Sequence, residues 1–495
     1  MLWLCIHLPQ LPLEVFSRST NDAAHPAATR AGGRAVCAGG TGTKARILVC
    51  DSRAAILGIR PGMSLGAACT LTNKLTLYPR DEVLEQEALG HIAAWATQFS
   101  SLVSIAAPQA VLLEVAGSLT LFGSLDRVQE TAKKGLSELG YHAVLAVAPT
   151  PLSALWLGRS GKPVTVTRPS QLSTVVGRLS LNYLQLSERK RRSLDGMGLR
   201  CIADLLRLPR DGLTRRMGKD LLSLLDRATG KAPDPQKLYV APLRFRSRLL
   251  LPAEADNIEA LLFAIHRLVA ELGGMLLGCG AGVQELSIQL VHREQQINRA
   301  SKDVTHVDLK LAAPNRDPDH FMAVLRERLE RVTLVAPVIE IVMAADTILP
   351  LASHAQDLFT RKGESEQNWQ SLLERLHARL GDDAVHGLRQ VAEHRPEYAW
   401  ENVAVGSSGT AAKFSKRPFW LLSEPVPLDC HNVDLPYFRG PLQIDTDRER
   451  IESGWWDGND IARDYFVARN PRGLQLWIFR ELRGERRWFL HGIFG

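Results

Sequence analysis

The rhythm of apolar and polar positions changes several times along the chain. Over residues 1–180, short apolar runs interleave with stretches of helical spacing. Leu2 to Leu8 and Ala143 to Ala148 read as buried strands. Ile47 to Cys50 is a shorter apolar run, followed by a helix through Ala54 and Leu57. Glu82 to Phe99 and Asp126 to Leu139 have helical apolar spacing. Val111 to Val115 and Leu119 to Phe122 read as a strand pair around Ala116-Gly117-Ser118. The sum is a mixed α/β layer, one sheet with covering helices.

From 181 to about 238 the strand pattern disappears. Leu181 to Leu194, Ile202 to Leu206, Asp211 to Met217 and Lys219 to Thr229 predict short helices, broken at Met197-Gly198-Leu199 and Leu208-Pro209-Arg210-Asp211-Gly212. Residues 239–350 change again. Leu243 to Leu251 is strand-like, Ile258 to Leu277 helical, Val283 to His292 and Val304 to Leu311 strand-like, Phe321 to Val332 helical and Val338 to Ala344 strand-like. That order, β-α-β-β-α-β, is a split α+β domain able to close on its own. Residues 351–370 are polar and linker-like, Trp369 to Leu380 predicts a helix, and strands between Asp464 and Leu490 predict a small β module inside a C-terminal region, 371–495.

Composition narrows the class. The 495 residues suffice for several domains, and 45% hydrophobic with 23% charged residues is the make-up of a folded chain rather than a disordered one. No run of about 18 apolar residues is present, so no membrane span is expected. The start, Met1 to Pro9, lacks a basic segment and reads as a strand rather than a signal peptide. Seven dispersed cysteines without a CxxC pair argue against a disulfide framework or a zinc site and for a reducing cytoplasm. A net charge of +7 permits nucleic-acid binding without demanding it.

Three local motifs then agree. Gly58-Ile-Arg-Pro-Gly-Met-Ser64 resembles the G-[VI]-R-x-x-M segment of Y-family translesion DNA polymerases. Gly196-Met-Gly-Leu-Arg-Cys-Ile-Ala-Asp-Leu205 resembles their helix-hairpin-helix thumb, and the β-α-β-β-α-β block stands where they carry a little finger. The resemblance implies palm and fingers over 1–180, a thumb over 181–238, a little finger over 239–350, a linker over 351–370 and a tail that active members lack. Segments such as His394-Arg-Pro-Glu-Tyr-Ala-Trp400 and Ile451-Glu-Ser-Gly-Trp-Trp-Asp457 resemble the tail of an inactive branch found in bacterial mutagenesis cassettes.

The family's chemistry needs carboxylates for two Mg²⁺ ions, hard cations that take oxygen ligands. The positions that the resemblance assigns to them hold His7 and Pro9 on the first strand, and Gln109 and Ala110 before the second. Ser52 and Ala55 stand where the family's triphosphate-binding Tyr and Arg would be. The nearest acids are Glu14, Asp51 and Glu114, the last matching a structural acid of the family. No paired carboxylate geometry results, so the resemblance implies a protein that is not a polymerase, with no metal and no cofactor.

Other candidates concern partners. Gln356-Asp357-Leu358-Phe359 resembles the end of the peptide by which such proteins bind the bacterial sliding clamp, although Ala355 stands at the consensus Gln. Its bland reading is an amphipathic turn burying Leu358 and Phe359. Arg191, Arg192, Arg215 and Arg216 could contact phosphates, or simply form a solvated helix face. Arg244, Arg246 and Arg248 alternate along one strand, which puts all three on one sheet face, where the family meets duplex DNA. Ala38-Gly39-Gly40-Thr41-Gly42-Thr43-Lys44 lacks P-loop spacing and reads as a hairpin loop. His91, His266 and His292 are isolated in sequence and unpaired. Trp455, Trp456, Trp477, Phe479, Trp488 and Phe489 are mostly β-module core, or else a partner face.

The resemblance therefore implies a cytoplasmic, nucleoid-associated adaptor of error-prone translesion synthesis in the DNA-damage (SOS) response. It would bind the sliding clamp and primed or damaged DNA, and recruit a RecA-like accessory protein and an error-prone C-family DNA polymerase. The alternatives are an active polymerase with a divergent metal site and a plain DNA-binding factor with no clamp role.

Overall fold

The fully buried pentapeptide Trp3–His7 (β1) is the middle strand of the first sheet in the computed structural model. The structure describes residues 1–19, 33–38, 45–293, 304–351, 362–405, 407, 417–432 and 435–494. The chain divides into two compact units, Met1–Arg379 and Leu380–Gly495.

After β1 come helix α1 (Leu11–Ser17) and a small three-stranded sheet of β2 (Arg34–Ala38), β3 (Arg46–Cys50) and β4 (Thr76–Pro79). Two short helices, α2 (Ser52–Ile56) and α3 (Leu65–Leu71), lie between β3 and β4. Helix α4 (Glu82–Ala96) leads back to β5 (Val103–Ala106) and β6 (Ala110–Glu114). Then follow α5 (Leu119–Phe122), α6 (Leu125–Glu138), β7 (Val144–Ala148), α7 (Pro151–Arg159) and β8 (Val164–Thr165). The sheet order is β5-β6-β1-β7-β8, with β1 antiparallel to both neighbours.

Alternation along β1 divides its side chains between two cores. Leu4 and Ile6 pack with Leu89, Ile92, Val128 and Leu136 of α4 and α6. Trp3 and Cys5 pack with Ala154, Trp156 and Leu157 of α7 and with the helical domain that follows.

The strand pair expected around Ala116 is not formed. The partner of β6 is β5, while Ala116–Ser118 is a 3₁₀ turn leading into the helix α5. The cause is Glu114, whose buried carboxylate accepts from the N–H of Leu2 at 2.8 Å and of Ala116 at 3.3 Å, fastening the end of β6.

The helical domain contains α8 (Pro169–Gly177), a 3₁₀ turn at Leu181–Leu184, α9 (Glu188–Gly196), α10 (Ile202–Arg207), α11 (Arg210–Met217) and α12 (Lys219–Thr229). The single helix expected over Leu181 to Leu194 is interrupted at Gln185, which is left-handed with φ 50°. That conformation ends a helix turn and is uncommon for a side chain with a Cβ.

The next domain has the expected element order: β9 (Phe245–Ala255), α13 (Ile258–Cys279), β10 (Ala281–His292), β11 (Val304–Asn315), α14 (Pro318–Leu329) and β12 (Val338–Ala345). Its strands pair as β11-β10-β12-β9, and every neighbouring pair is antiparallel. Helix α13 is long and apolar enough to cross a membrane by composition, yet 72% of its apolar window is buried inside the protein, as a core helix. Helix α15 (Lys362–Leu380) starts earlier than the expected Trp369. Its first turns are polar and carried no apolar period to read. Glu374 anchors it, accepting from the N–H of Ala312 at 2.8 Å and pairing with His320 at 2.6 Å.

A buried ionic cluster joins this domain to the first sheet's helices. Arg18, just after α1, meets Glu271 of α13 at 2.8 Å, with both side chains less than 5% exposed. His91 of α4 lies 3.1 Å from the other carboxylate oxygen, so it is not the unpaired histidine expected. Arg18 also donates to the carbonyl of Arg248 at 3.2 Å, and Ser19 to that of Leu250 at 2.6 Å. Burial alone would raise the Glu271 pKa, but His91 and Arg18 outweigh it and hold the carboxyl below its ordinary value.

The second unit is a five-stranded antiparallel sheet, ordered Trp420–Pro427, Trp488–Ile493, Gln475–Glu481, Ile461–Arg469 and Gln443–Ser453. One face buries Leu476, Ile478 and Leu490; the other buries Tyr465, Trp477 and Phe479. All seven cysteines of the chain are free.

Glu271→Ala leaves the Arg18 guanidinium buried without its counter-charge. We expect a loss of about 3–5 kcal/mol in the urea transition of the first unit, followed by tryptophan fluorescence. The paired replacement Arg18→Met/Glu271→Leu should recover most of it; a single variant as stable as wild type would remove the pair from this role.

Candidate functional site

The strand register brings the positions assigned to metal ligands together. His7 is paired with Ala110, and the N–H of Leu8 donates to the carbonyl of Gln109 at 2.8 Å. His7 is 8% exposed and its Nδ1 has no hydrogen-bond partner; Ala110 is buried, and Pro9 and Gln109 are half-buried. Burial, with the charge of Arg159 adding to it, pushes the His7 pKa down to about 4, so the ring is neutral at physiological pH.

The three nearby acids are engaged elsewhere. Glu114 caps backbone groups, as described. Asp51 is the N-cap of α2, accepting from Ala54 N–H at 2.7 Å. The carboxyl of Glu14 is buried and accepts from the N–H of His142 at 2.8 Å, while its second oxygen is unpartnered. Burial pushes its pKa up to about 8, against the pull of the His142 N–H, so this acid is protonated at neutral pH.

A residue that the sequence reading passed over lies at the same place. Arg159 ends α7, and its neighbour Gly158 fits so closely under β1 that a Cβ there would stand 2.9 Å from Cys5 Sγ and 3.2 Å from His7 Cβ. Arg159 is half-buried and its charge acts on both Cys5 and His7. Nothing in the periodicity could have flagged it, because its place beside β1 follows from helix packing. A neutral imidazole, an amide, a methyl group and a guanidinium do not suit a pair of hard dications, which seek anionic oxygen. The residues therefore do not fit the Mg²⁺ ions that the family resemblance implies.

In Gly58-Ile-Arg-Pro-Gly-Met-Ser64, both glycines have positive φ, at 88° and 87°, and the Ser64 side chain caps α3. Ser52 and Ala55 are both exposed on α2.

The basic candidates fall in two groups. Arg191 and Arg192 flank Glu188, at 4.0 and 3.1 Å, and are partly neutralised by it. Arg215 and Arg216 end α11 beside Gly218, whose φ of 89° with ψ of 163° only glycine adopts easily. Lys190 also approaches that turn. A tight turn with four cations near it, counting Lys219, suits a phosphate.

Arg246 and Arg248 are exposed on alternate residues of β9, but Arg244 lies just before the strand, so the expected row of three is a row of two. Arg248 pairs with Glu87 of α4 at 3.1 Å. The cross-strand rows running out from these arginines include Asp308 and His306, and a Glu285–Lys310 pair lies nearby. The sheet face is thus of mixed charge, with Arg246 and Arg248 along its edge strand β9. Arg244 and Arg246 also rim a cavity of about 350 Å³ with His91, Tyr239, Phe245 and Glu271 in its lining.

Gln356, Asp357, Leu358 and Phe359 lie outside the described residues, as do 39–44 of the glycine-rich loop. His292 is a core histidine, hydrogen-bonded to Ala336 O and Thr305 Oγ1. His266 is exposed on α13. Trp477, Phe479 and Trp488 are buried in the second unit and Phe489 is half-buried, whereas Trp455 and Trp456 are 81% and 58% exposed at a hairpin end.

Residues 23–158 match the model of the impB/mucB/samB family. Over 475 residues the chain is 24% identical to the protein named ImuB of Caulobacter vibrioides, covering 89% of this chain and all of that one. The chain is thus similar to proteins related to the Y-family DNA polymerases. A DNA polymerase IV of Shewanella amazonensis is 25% identical over 271 residues, 52% of this chain and 75% of the relative. Among solved structures, an insertion ternary complex of Dbh DNA polymerase is 16% identical, matching 71% of this chain and all of its own with a TM-score of 0.41. DinB from Sulfolobus solfataricus matches over the same shares at 16% identity and a TM-score of 0.38. The match to ImuB covers most of the chain, whereas the polymerase IV match covers only about half of it.

The Glu14 pKa gives a signed expectation. The unfolded chain loses this proton near the ordinary value of 4.5, and the folded protein keeps it to about 8. The folded state therefore binds more protons between those values, and its stability falls as pH rises through them. Glu14→Gln removes that slope. Relative to wild type, the variant should gain stability between pH 5 and pH 8.5 in urea titrations; a constant difference would refute the raised pKa.

Proposed function

We propose that this protein is a non-catalytic adaptor of DNA-damage-induced, error-prone translesion synthesis. The observation that carries this reading is the set His7, Pro9, Gln109 and Ala110, with Arg159 beside them, at the place where the family resemblance calls for metal-binding carboxylates. The likeness to ImuB over most of the chain supports the same reading.

In this reading the first unit holds primed DNA through the Gly218 turn, with Arg191, Arg192, Arg215 and Arg216, and through Arg244, Arg246 and Arg248. Its charge agrees: 45 basic against 36 acidic side chains, compared with 15 against 17 in the second unit. The second unit, with no basic excess and with exposed Trp455 and Trp456, suits protein partners better than nucleic acid. Those partners would be a RecA-like accessory protein and an error-prone C-family polymerase. Gln356, Asp357, Leu358 and Phe359 would tether the assembly to the sliding clamp. Joining a weak DNA surface to a clamp peptide raises the effective concentration of the synthesising partner at the lesion.

Primer extension tests the catalytic half. Highly purified protein should incorporate no nucleotide on a primed template with Mg²⁺ or Mn²⁺; template-directed extension that persists through purification would make it a polymerase with a divergent metal site. Titration against its cognate sliding clamp tests the tether. Leu358→Ala/Phe359→Ala should weaken binding by at least about thirtyfold, the scale of one hot-spot residue. Equal binding by wild type and variant would move the contact elsewhere on the chain.

A further inference from the structure

We propose that the first sheet carries an anion site where the family resemblance places a cation site: Arg159, with His7 beside it, takes a phosphate oxygen directly, with no divalent metal between. The inference rests on the reading of the palm as non-catalytic and adds a ligand to it.

Two polar groups at this place lack partners. Among the described residues, Arg159 makes no ion pair and no hydrogen bond. A half-buried guanidinium in that state has lost part of its hydration without recovering it from a carboxylate, and burial lowers its pKa accordingly. The His7 Nδ1 is buried and unpartnered as well. In the turn that follows β1, the Gln10 side-chain oxygen is a third buried polar atom without a partner.

The chemistry selects the ligand's sign. A guanidinium can only donate, and in a fork that matches two phosphate oxygens. A neutral imidazole with its proton on Nδ1 adds a donor from β1. Phosphate oxygens only accept, and charge-assisted bonds to them are the strong kind. A dication would meet the guanidinium's charge at close range. Arg159 itself sits in the last turn of α7, where the helix dipole favours a cation and helps keep it charged.

The phosphate could come from the backbone of a DNA strand or from a free nucleotide, and the experiment separates them. Binding of fluorescein-labelled primer-template is followed by anisotropy at several salt concentrations, and binding of dATP by calorimetry, both in excess EDTA. The proteins are the full-length wild type, Arg159→Ala, Arg159→Lys and Lys134→Ala. Lys134, on α6, removes the same charge from the opposite side of the sheet. Arg159→Gln keeps a polar side chain and reads the same contact if the alanine variant does not fold by circular dichroism.

We expect wild-type DNA binding to survive EDTA. Arg159→Ala should weaken it by roughly tenfold and reduce the salt slope by about one, the signature of one lost phosphate contact. Arg159→Lys should fall between, and Lys134→Ala should match wild type. Loss confined to dATP would support the site with free nucleotide as its source. Equal binding of both ligands by wild type and the Arg159 variants would overturn the inference, as would wild-type binding that requires Mg²⁺. Neither result bears on the primer-extension outcome, so the two readings can fail separately.

Discussion

The first unit depends on one buried ion pair. Arg18 and Glu271 are far apart in sequence, almost wholly removed from water, and 2.8 Å apart. Each would be a costly buried charge alone, so neither the segment after α1 nor the middle of α13 can adopt its place without the other. His91 closes the cluster from α4, and two backbone carbonyls of β9 accept from Arg18 and Ser19. The edge strand that carries Arg246 and Arg248 is thereby held against the helices that back the first sheet. The position of the basic edge is a consequence of an interaction that touches no ligand.

The same sheet forms without any demand on the residues at the candidate site. Backbone registers are set by apolar alternation: Leu4 and Ile6 inward on one side, Trp3 and Cys5 on the other. None of that requires an acid at residue 7 or 110. A carboxylate cluster without metal would repel itself, whereas a neutral imidazole, an amide and a methyl group make no such demand. The resulting surroundings favour Arg159 and, with it, a ligand of opposite charge to the ions that the family employs.

The two units divide the electrostatic labour. Basic excess is confined to the first, where it can screen a polyanion, while the second uses several of its arginines in internal ion pairs. Arg395 binds Glu393 and Asp457 and lies over Tyr398 and Trp456; Arg463 binds Glu397, beside the buried Tyr465–His491 hydrogen bond. Arginine paired in this way builds a module and is withdrawn from phosphate contact. Trp455 packs edge-on against Trp456 and still leaves a large apolar surface exposed.

Periodicity made most elements legible, since strands and amphipathic helices announce themselves through the spacing of Leu, Ile and Val. It failed where a side chain acts on backbone. Glu114 ends β6 and turns Leu119–Phe122 into a helix, and Gln185 supplies a left-handed turn without glycine. The sequence by itself determined the order of most elements, the identity of the residues at positions 7, 9, 109 and 110 and the sign of the charge, because each follows from residue identity and local spacing. Only the tertiary structure decided that Arg159 lies beside His7, that Arg248 spends part of its charge on Glu87, and that Arg18 finds Glu271. Those meetings join residues well over a hundred positions apart, and no local pattern of apolar and polar residues encodes which distant charge will share a buried site.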